Sequence, residues 1–396
     1  MSKDSTPAVI LSHGEGGLGA ARSLARRGID ITAIAYDADD AILYSRRPAK
    51  RLSVSGGTHD EKERQILEIL RSLPHEGAAL LTTSDRLVTL ISNHRDALLG
   101  KFRFALPPKD LLDTLNNKSQ EVELLGSLGF DIPRTVTELP HDPAALAEEL
   151  RFPIIFKPHS YAAAEFFPKK NGIVQNEKEL REFYDHWKLA LQVLLAQEVI
   201  AGPDTNSWVC SCTFDHNHRL LDCGVKQKIR CMPIHFGGSV YAVSRGNQAV
   251  VDLARKIGAK LKYVGHAGLE FRWDDRDQCY RYIELNPRFP ANVGFDEACG
   301  LPTVWNSYLV ALGDNPGCSN GLQREGVYFL DLNGDQASLR ADKTPSLQVV
   351  VSLLSHFTKR TSGLFFAWDD PLPGLVVGHR FLVRKLRKLW SMIWPR

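Results

Sequence analysis

The sequence 264-VGHAGLEFRWDDRDQCYRYIELNPRFP-290 contains two apolar runs joined by a polar turn, a pattern that predicts a two-stranded hairpin. Glu270 lies in the first run, and Glu284, Asn286 and Arg288 alternate along the second. Because strand side chains repeat every second residue, these last three should share one face. Carboxylate and amide oxygens suit magnesium held with substrate phosphates, and an arginine beside them suits an anionic transition state. From the hairpin alone, solvated charges on its outer face are an equally good interpretation.

Length and composition are those of an ordinary globular protein. The chain has 396 residues, of which 43% are hydrophobic and 24% are charged, which fits two or three domains. A net charge of +3 with interspersed signs gives no reason to expect a nucleic-acid partner. Seven cysteines without a CxxC pair indicate neither a disulfide framework nor a zinc site. Since no signal peptide and no apolar run near ~18 residues is found, we expect a cytoplasmic protein.

The N-terminal segment 8–36 predicts a βαβ unit with a glycine-rich turn between its first strand and its helix. This turn resembles a dinucleotide-binding opening, and Asp37 follows the second strand. The full GxGxxG spacing is absent, so a turn that binds no nucleotide is the favoured interpretation. Tyr44-Ser45-Arg46 and the basic run through Arg51 come next; they could line a substrate cleft, but a solvated loop is the favoured interpretation. The glycines of the turn are Gly14, Gly16, Gly17 and Gly19.

Alternating strand and helix patterns continue to Pro107 and predict a parallel sheet covered by helices. Asp85 directly follows a predicted strand, at the sheet edge where ligands usually bind, and opens a predicted helix over 85–99. Two helical stretches over 109–129 come next, with Lys118 at the break between them. We therefore place the first domain boundary in this region.

The middle of the chain predicts a second group of strands. The strand 153–158 ends close to Lys157, and a lysine there is costly to bury unless it meets an anion. A strand over 191–202 and a run of antiparallel strands from 206 to 230 follow. An amphipathic helix over 247–262 then precedes the opening hairpin.

These charged residues, taken in chain order, resemble the ATP-grasp superfamily. The set consists of Lys118, Lys157, Gln197-Glu198-Val199-Ile200, Asp204, Glu270 and Glu284-Leu285-Asn286-Pro287-Arg288. It is most similar to carboxylate–amine ligases such as D-aspartate ligase, and more distantly to D-alanine–D-alanine ligase and biotin carboxylase. The resemblance covers about residues 8 to 315. The E-L-N-P-R run with an upstream glutamate is its most specific part.

The resemblance implies a role for each residue of the set. Lys118 and Lys157 would contact the phosphates of ATP, and Asp204 would accept hydrogen bonds from the ribose hydroxyls. Arg288 would be the catalytic cation. The adenine would lie along the linker of Gln197, Glu198, Val199 and Ile200. The ligands of Mg²⁺, or of Mn²⁺ in its place, would be Glu270, Glu284 and Asn286.

The implied fold combines α/β and α+β parts: a Rossmann-like parallel α/β domain, two grasp subdomains and a C-terminal basic amphipathic helix. The expected divisions are 1–115, 116–200 with the small grasp subdomain, 201–330 with the large one and the metal hairpin, and 331–396. The implied activity is an ADP-forming carbon–nitrogen ligase that joins a small carboxylate to an amine, such as an amino acid, through an acyl phosphate. The alternatives are a non-catalytic nucleotide-binding protein and a Rossmann-type oxidoreductase.

One loop departs from the family's pattern. The segment 159-HSYAAAEFFPKKNG-172 has a single glycine, Gly172, where the family usually has a glycine-rich loop over the phosphates. Lys169 and Lys170 could replace backbone donors with side-chain charge. The turn at Gly237-Gly238-Ser239 either faces the acceptor side, as in related ligases, or is a plain hairpin turn.

The C-terminal segment 375–396 predicts an amphipathic helix without acidic residues. A basic helix of this kind is typical of an anionic membrane surface, here the inner face of the membrane. The alternatives are a helix docked on its own domain and a contact in an oligomer. The apolar stripe contains Phe381, Leu382, Leu386, Leu389, Trp390, Ile393 and Trp394, and the basic residues are Arg380, Arg384, Arg387 and Lys388.

Overall fold

A computed structural model of the chain describes residues 6–160, 166–168, 171–317 and 323–393. The chain divides into two compact units. Unit 1 contains Met1–Pro107, Val209–Gly268 and Asn286–Arg396, and unit 2 contains Pro108–Trp208 and Leu269–Leu285. The fourfold division expected from the sequence stays a prediction.

Unit 1 opens with a five-stranded sheet in the order β3-β2-β1-β4-β5, in which all neighbouring strands are parallel. The predicted Rossmann-like α/β architecture is therefore confirmed. The strands are β1 (Ala8–Ser12), β2 (Ile31–Ala35), β3 (Lys50–Ser53), β4 (Ala78–Thr82) and β5 (Phe102–Arg103), and the helices are α1 (Gly16–Ala25), α2 (His59–Ser72), α3 (Asp85–Asn93) and α4 (Arg95–Leu99).

The central strand of this sheet is buried on both faces. Ala8 and Ile10 pack in one core cluster, and Val9 and Leu11 pack in the other. Successive side chains of a strand point to opposite faces, so the continuous apolar run of β1 reflects helices on both sides of the sheet.

Three local predictions in this sheet need correction. The first helix begins at Gly16, so Gly16, Gly17 and Gly19 lie within α1 rather than in a turn. The segment expected as a solvated loop ends with the first two residues of β3, Lys50 and Arg51, and this strand pairs with β2. The helix expected over 85–99 is two helices, α3 and α4, which meet at His94.

The glycines of α1 allow close packing against another segment of unit 1. A Cβ on Gly16 would lie 2.8 Å from the carbonyl oxygen of Pro290, and one on Gly19 would lie 2.8 Å from the amide nitrogen of Gly294. Both distances are too short for a side chain. These glycines therefore have a packing role, whether or not a ligand also binds nearby.

Unit 2 contains a four-stranded sheet in the order β6-β9-β7-β8 with antiparallel pairs. The predicted helix break lies at Asn117, whose side chain accepts hydrogen bonds from the N–H groups of Ser119 and Gln120 and so caps the second helix. The elements are α5 (Lys109–Asn116), α6 (Lys118–Ser127), β6 (Thr135–Val136), α7 (Pro143–Glu149), β7 (Ile154–Pro158), β8 (Gly172–Val174), α8 (Glu177–His186) and β9 (Leu194–Glu198).

A seven-stranded sheet has the order β14-β13-β10-β11-β12-β15-β16. The strands β13 and β14 are neighbours joined by the turn 275–278, which confirms the predicted hairpin. The elements are β10 (Ser207–Phe214), β11 (Leu220–Met232), β12 (Gly238–Ser244), α9 (Gln248–Lys260), β13 (Gly265–Asp274), β14 (Cys279–Asn286), α10 (Gly294–Ala298), α11 (Thr303–Ala311), β15 (Tyr328–Leu330), α12 (Leu332–Ala341), α13 (Ser346–Phe357), β16 (Thr361–Gly363) and α14 (Leu372–Ile393).

The C-terminal helix α14 begins at Leu372, three residues before the predicted start at Leu375. The chain just before it is anchored in unit 1 through Asp370, which is fully buried. Its carboxylate accepts hydrogen bonds from Nε of Arg22 at 2.9 Å and from the hydroxyl of Ser45 at 2.7 Å. This buried ion pair and hydrogen bond fix the start of α14 to the helix α1 and to the segment that precedes β3.

Replacement of Asp370 by alanine should leave the Arg22 guanidinium buried without its counter-charge. Breaking a buried pair in this way costs about 3–5 kcal/mol. We expect Asp370→Ala to lower the free energy of unfolding by that amount in urea titrations followed by circular dichroism. The matched control is Asp369→Ala, since the Asp369 side chain is 42% exposed and its ion pairs should contribute about 0–1 kcal/mol. Equal losses in the two variants would contradict the anchoring role.

Candidate functional site

Two of the predicted ligands meet in unit 2. Lys118 is the first residue of α6, and its Nζ lies 3.7 Å from Oε2 of Glu284 on β14. Both side chains remain accessible, with exposed fractions of 39% and 34%. A predicted phosphate contact and a predicted metal ligand therefore lie side by side on an accessible surface.

The position of Lys118 depends on a glutamate that the sequence reasoning missed. Glu121 is one helical turn further along α6 and is 3% exposed. One of its carboxylate oxygens accepts hydrogen bonds from the Tyr282 hydroxyl at 2.5 Å and from the N–H of Leu285 at 2.9 Å. Both donors lie on β14, so this carboxylate holds α6 against the strand that carries Glu284. The sequence signal for this role was a carboxylate on the apolar face of a predicted helix, four residues before Leu125.

Burial raises the pKa of Glu121 to about 7, against an ordinary value of 4.5. The positive charge of Lys118 and the hydrogen bonds from Tyr282 and Leu285 act in the opposite direction, while the charge of Glu284 adds to the increase. A carboxyl group that is partly protonated near neutrality can accept these hydrogen bonds without a full buried charge.

Lys157 shares the environment of these groups. It lies on β7, and its Nζ donates a hydrogen bond to Oε1 of Gln197 at 2.8 Å. Burial and, to a smaller extent, the charge of Lys118 lower its pKa to about 8, whereas Glu284, Glu121 and Glu270 raise it. The ammonium remains mostly protonated at pH 7. Its hydrogen-bond acceptor is a neutral amide, so the charge of Lys157 is available to an anion.

The predicted metal ligands have the expected alternation. Glu270 lies on β13, and Glu284 and Asn286 lie two residues apart on β14 with half-buried side chains, separated by the buried Leu285. Within the described residues, no three His, Cys, Asp or Glu side chains cluster as metal ligands. The predicted set contains two carboxylates and an amide, and its role stays a prediction.

In unit 1, Arg288 is held by the aspartate that was singled out at the sheet edge. Its Nε lies 3.2 Å from both carboxylate oxygens of Asp85, the first residue of α3. Its Nη2 donates to Oδ1 of Asn286 at 3.3 Å. Asp85 thus orients the predicted catalytic cation, and Arg288 in turn orients a predicted metal ligand.

The predicted adenine linker begins at the buried end of β9. Gln197 and Glu198 are 4% and 2% exposed. The Glu198 carboxylate accepts two hydrogen bonds from Arg151, one from the side-chain Nε at 2.8 Å and one from the backbone N–H at 3.0 Å. The N–H of Val199 donates to the carbonyl of Pro153, and its carbonyl accepts from Arg276. The strand expected over 191–202 is therefore shorter, and Val199 and Ile200 follow it.

A second missed residue, Arg272 of β13, fixes the chain after this linker. Its guanidinium donates to the carbonyls of Ile200 at 3.2 Å and Gly202 at 2.6 Å and to the hydroxyl of Ser207 at 2.7 Å. Asp204 lies between these anchor points, half-buried in a short 3-10 turn. Arg272 shares the strand face of Glu270, which was the available signal.

The glycine-poor loop is described in part. Lys169 and Lys170 lie outside the described residues. At its start, the carbonyl of His159 accepts a hydrogen bond from the N–H of Lys118 at 2.9 Å. At its end, a Cβ on Gly172 would lie 2.6 Å from the ring of Phe183, so this glycine is needed for packing. The turn at Gly237 connects β11 to β12 as a hairpin.

The chain is similar to known proteins in part of its sequence and in its fold. No protein-family model matches the chain. The chain is 25% identical over 223 residues to a D-aspartate ligase of Enterococcus faecium (strain Aus0004). The matched region covers 53% of this chain and 52% of the relative. It therefore spans about half the length of this curated relative.

Solved structures show the same fold. A biotin carboxylase of Campylobacter jejuni in complex with β,γ-ATP superposes with a TM-score of 0.66 at 15% sequence identity. The superposition covers 82% of this chain and 74% of the biotin carboxylase chain. An L-amino acid ligase of Bacillus licheniformis has a TM-score of 0.58 and 16% identity, with coverages of 78% and 75%. The chain has the ATP-grasp fold that its sequence predicted.

The raised pKa of Glu121 predicts a pH-dependent stability. A raised pKa in the folded state means that the contribution of this group is fully present below pH 4.5 and is lost as the pH rises through about 7. Between pH 5 and pH 8, the free energy of unfolding of the native chain should therefore fall relative to that of Glu121→Gln. Urea titrations at several pH values measure this difference. The matched control is Glu123→Gln on the exposed side of the same helix, which should follow the native chain.

Proposed function

We propose that this protein is an ATP- and magnesium-dependent carboxylate–amine ligase. The observation that carries the proposal is the group of Lys118, Lys157, Glu284 and Glu270 in unit 2, in a chain with an ATP-grasp fold and a likeness to D-aspartate ligase. Two cations and two carboxylates in one environment suit a nucleotide phosphate bound together with a divalent metal.

The proposed nucleotide contacts follow the resemblance. Lys118 and Lys157 would bind the phosphates, and Asp204 would bind the ribose. The adenine would lie along Gln197, Glu198, Val199 and Ile200. Because the N–H and carbonyl of Val199 already have internal partners, adenine recognition would use neighbouring main-chain groups or exchange these bonds.

The residues present fit a bound metal. Glu270, Glu284 and Asn286 offer hard oxygen atoms on half-buried side chains, as Mg²⁺ or Mn²⁺ requires. Bound metal would supply charge neutralisation for the phosphate oxygens. The ammonium of Lys118, at 3.7 Å, would then move from Glu284 toward the phosphates.

The proposed chemistry has two steps. An oxygen of the carboxylate substrate attacks the γ-phosphorus of ATP, ADP leaves, and an acyl phosphate forms. The nitrogen of the amine then attacks the acyl carbon, phosphate leaves, and an amide is formed with loss of a proton. Lys157 would stabilise the transferring phosphoryl group, and Arg288, oriented by Asp85, would stabilise the oxyanion on the acyl carbon.

The two alternatives predict different ligands and products. A non-catalytic nucleotide-binding protein would bind MgATP without releasing phosphate, and its support is the single glycine of the loop 159–172. A Rossmann-type oxidoreductase would bind NAD, but the glycines of α1 are required for packing against Pro290 and Gly294. A thermal-shift comparison of MgATP with NAD separates the oxidoreductase from the other two.

Turnover tests the ligase directly. Phosphate release should be measured with MgATP across a panel of amino acids. The panel includes D-aspartate, because the similar protein from Enterococcus faecium is named a D-aspartate ligase. We expect Glu284→Gln to lower kcat by about 100-fold or more, since a misplaced metal forfeits several kcal/mol of charge stabilisation. The matched control is Glu182→Gln on α8, which is 65% exposed and should leave kcat unchanged. An unchanged rate in Glu284→Gln would refute the metal assignment.

We also propose that α14 places the protein on an anionic membrane surface. Four apolar residues at helical spacing are exposed, and Arg384 and Arg387 lie exposed on the same helix. Leu389 and Ile393 have side chains outside the described part of the structure, as has Trp394. Among the described helices, none is long and apolar enough to cross a bilayer. The exposed residues are Leu375, Leu382, Leu386 and Trp390.

Vesicle co-sedimentation tests this surface. The full chain should bind phosphatidylserine-containing vesicles more strongly than pure phosphatidylcholine vesicles, and added salt should weaken the binding. Combined replacement of Leu382, Leu386 and Trp390 by glutamine should abolish it. The control is Leu189→Gln, which removes an apolar side chain that is 82% exposed elsewhere. Equal sedimentation of both variants would end this proposal.

A further inference from the structure

Unit 1 contains a cavity of about 280 Å³ that the proposed ATP site does not use. One wall lies at the carboxyl ends of two parallel strands: Gly14 and Glu15 follow β1, and Asp37 and Asp39 follow β2. This is the edge at which open α/β sheets bind their ligands. Arg288 and Asp85 lie beyond β4, at the same edge of the same sheet.

The opposite wall is formed by α14, a helix that lies beyond the part of the chain that resembles ATP-grasp proteins. Arg380 fixes this wall in place, since its guanidinium donates to the carbonyl of Asp39 at 3.0 Å and to the Tyr44 hydroxyl at 2.5 Å and lies over the Tyr44 ring. Asp370 anchors the start of the helix. The cavity is therefore preformed, which limits the entropy lost on binding. This wall contains Val377, Arg380, Phe381 and Arg384, with Phe365 beside them.

Some charged groups that line the cavity already have hydrogen-bond or ion-pair partners. Asp37 pairs with Lys62 at 2.6 Å, and Asp40 accepts hydrogen bonds from the Ser12 hydroxyl and the N–H of Ile42. The guanidinium of Arg380 is engaged with Asp39 and Tyr44 as described. Among these three groups, Asp37 is in an ion pair, whereas the partners of Asp40 and Arg380 are uncharged groups that orient the side chains without cancelling their charge.

Three other charged side chains differ from these groups. Within the described residues, no hydrogen bond or ion pair involves the side chains of Glu15, Asp39 or Arg384. The cavity thus presents carboxylates on the sheet side, a guanidinium on the helix side, and the apolar side chains of Phe365 and Phe381 nearby.

We propose that this cavity binds a small zwitterion of the amino-acid class. The ammonium group would meet Glu15 and Asp39, the carboxylate would meet Arg384, and the side chain would lie on the two phenylalanine rings. The volume is below the roughly 300–1,000 Å³ of sites for larger ligands, which suits a single amino acid. Phosphates are disfavoured because the carboxylates would repel them. Binding of an amino acid in this cavity does not depend on the proposed ligase function. The identification of this ligand as the amine substrate does rest on that function.

Isothermal titration of the full chain tests the site, with and without a non-hydrolysable MgATP analogue. The probes are the twenty standard L-amino acids, D-alanine and D-aspartate, followed by the N-acetyl and methyl-ester derivatives of the tightest binder. We expect one or more free amino acids to bind and each derivative to bind at least tenfold more weakly, because it lacks one of the two charges. Glu15→Gln and Arg384→Gln should each weaken binding at least tenfold.

The matched controls are Glu68→Gln and Arg64→Gln, two exposed residues of α2 that lie outside the cavity, and both should bind as the native chain does. Absence of binding by every probe, or equal affinities in cavity and control variants, would overturn the site. MgATP should raise the melting temperature of all four variants. Loss of this shift in the native chain would count against the ligase instead, so the two failures are distinguishable.

Discussion

The buried carboxylate of Glu121 is the contact on which the predicted ATP site in unit 2 depends. It joins α6 to β14 through the Tyr282 hydroxyl and the N–H of Leu285. Because Lys118 begins α6 and Glu284 directly precedes Leu285, one carboxylate sets the spacing of both. A buried acid is costly, as its raised pKa shows, and apolar residues would pack there at lower cost. We interpret the cost of burying Glu121 as the cost of holding Lys118 and Glu284 in fixed positions.

Unit 1 uses the same device with a different pair. Asp85 follows the strand β4 and holds Arg288 at 3.2 Å. Here the acid lies at the carboxyl edge of a sheet, and with exposed fractions of 13% for Asp85 and 24% for Arg288 the pair is largely shielded from solvent. The glycines of α1 serve the same edge, because they let the helix approach the backbone of 290–294 just after Arg288. A segment that resembles a nucleotide fingerprint thus contributes packing.

The helix α14 has structural features of two interpretations that the sequence presented as alternatives. One side contacts the segment 39–44 of the same unit through Arg380 and lines a cavity. The other side exposes apolar residues such as Leu386 and Trp390 to solvent. Since a helix has room for separate stripes, docking of one face leaves the other available to a membrane. If both proposals hold, a bound zwitterion would lie beneath a membrane-attached helix.

The sequence by itself determined the local features of this protein. Strand alternation predicted the shared face of Glu284 and Asn286, and the break between two helical stretches marked the start of the helix at Lys118, because these signals act within a few residues. Tertiary structure alone decided which groups meet. Glu121 contacts a tyrosine 161 residues away, and Arg288 contacts an aspartate 203 residues away. Such pairs depend on how helices and strands pack, and no local periodicity records them.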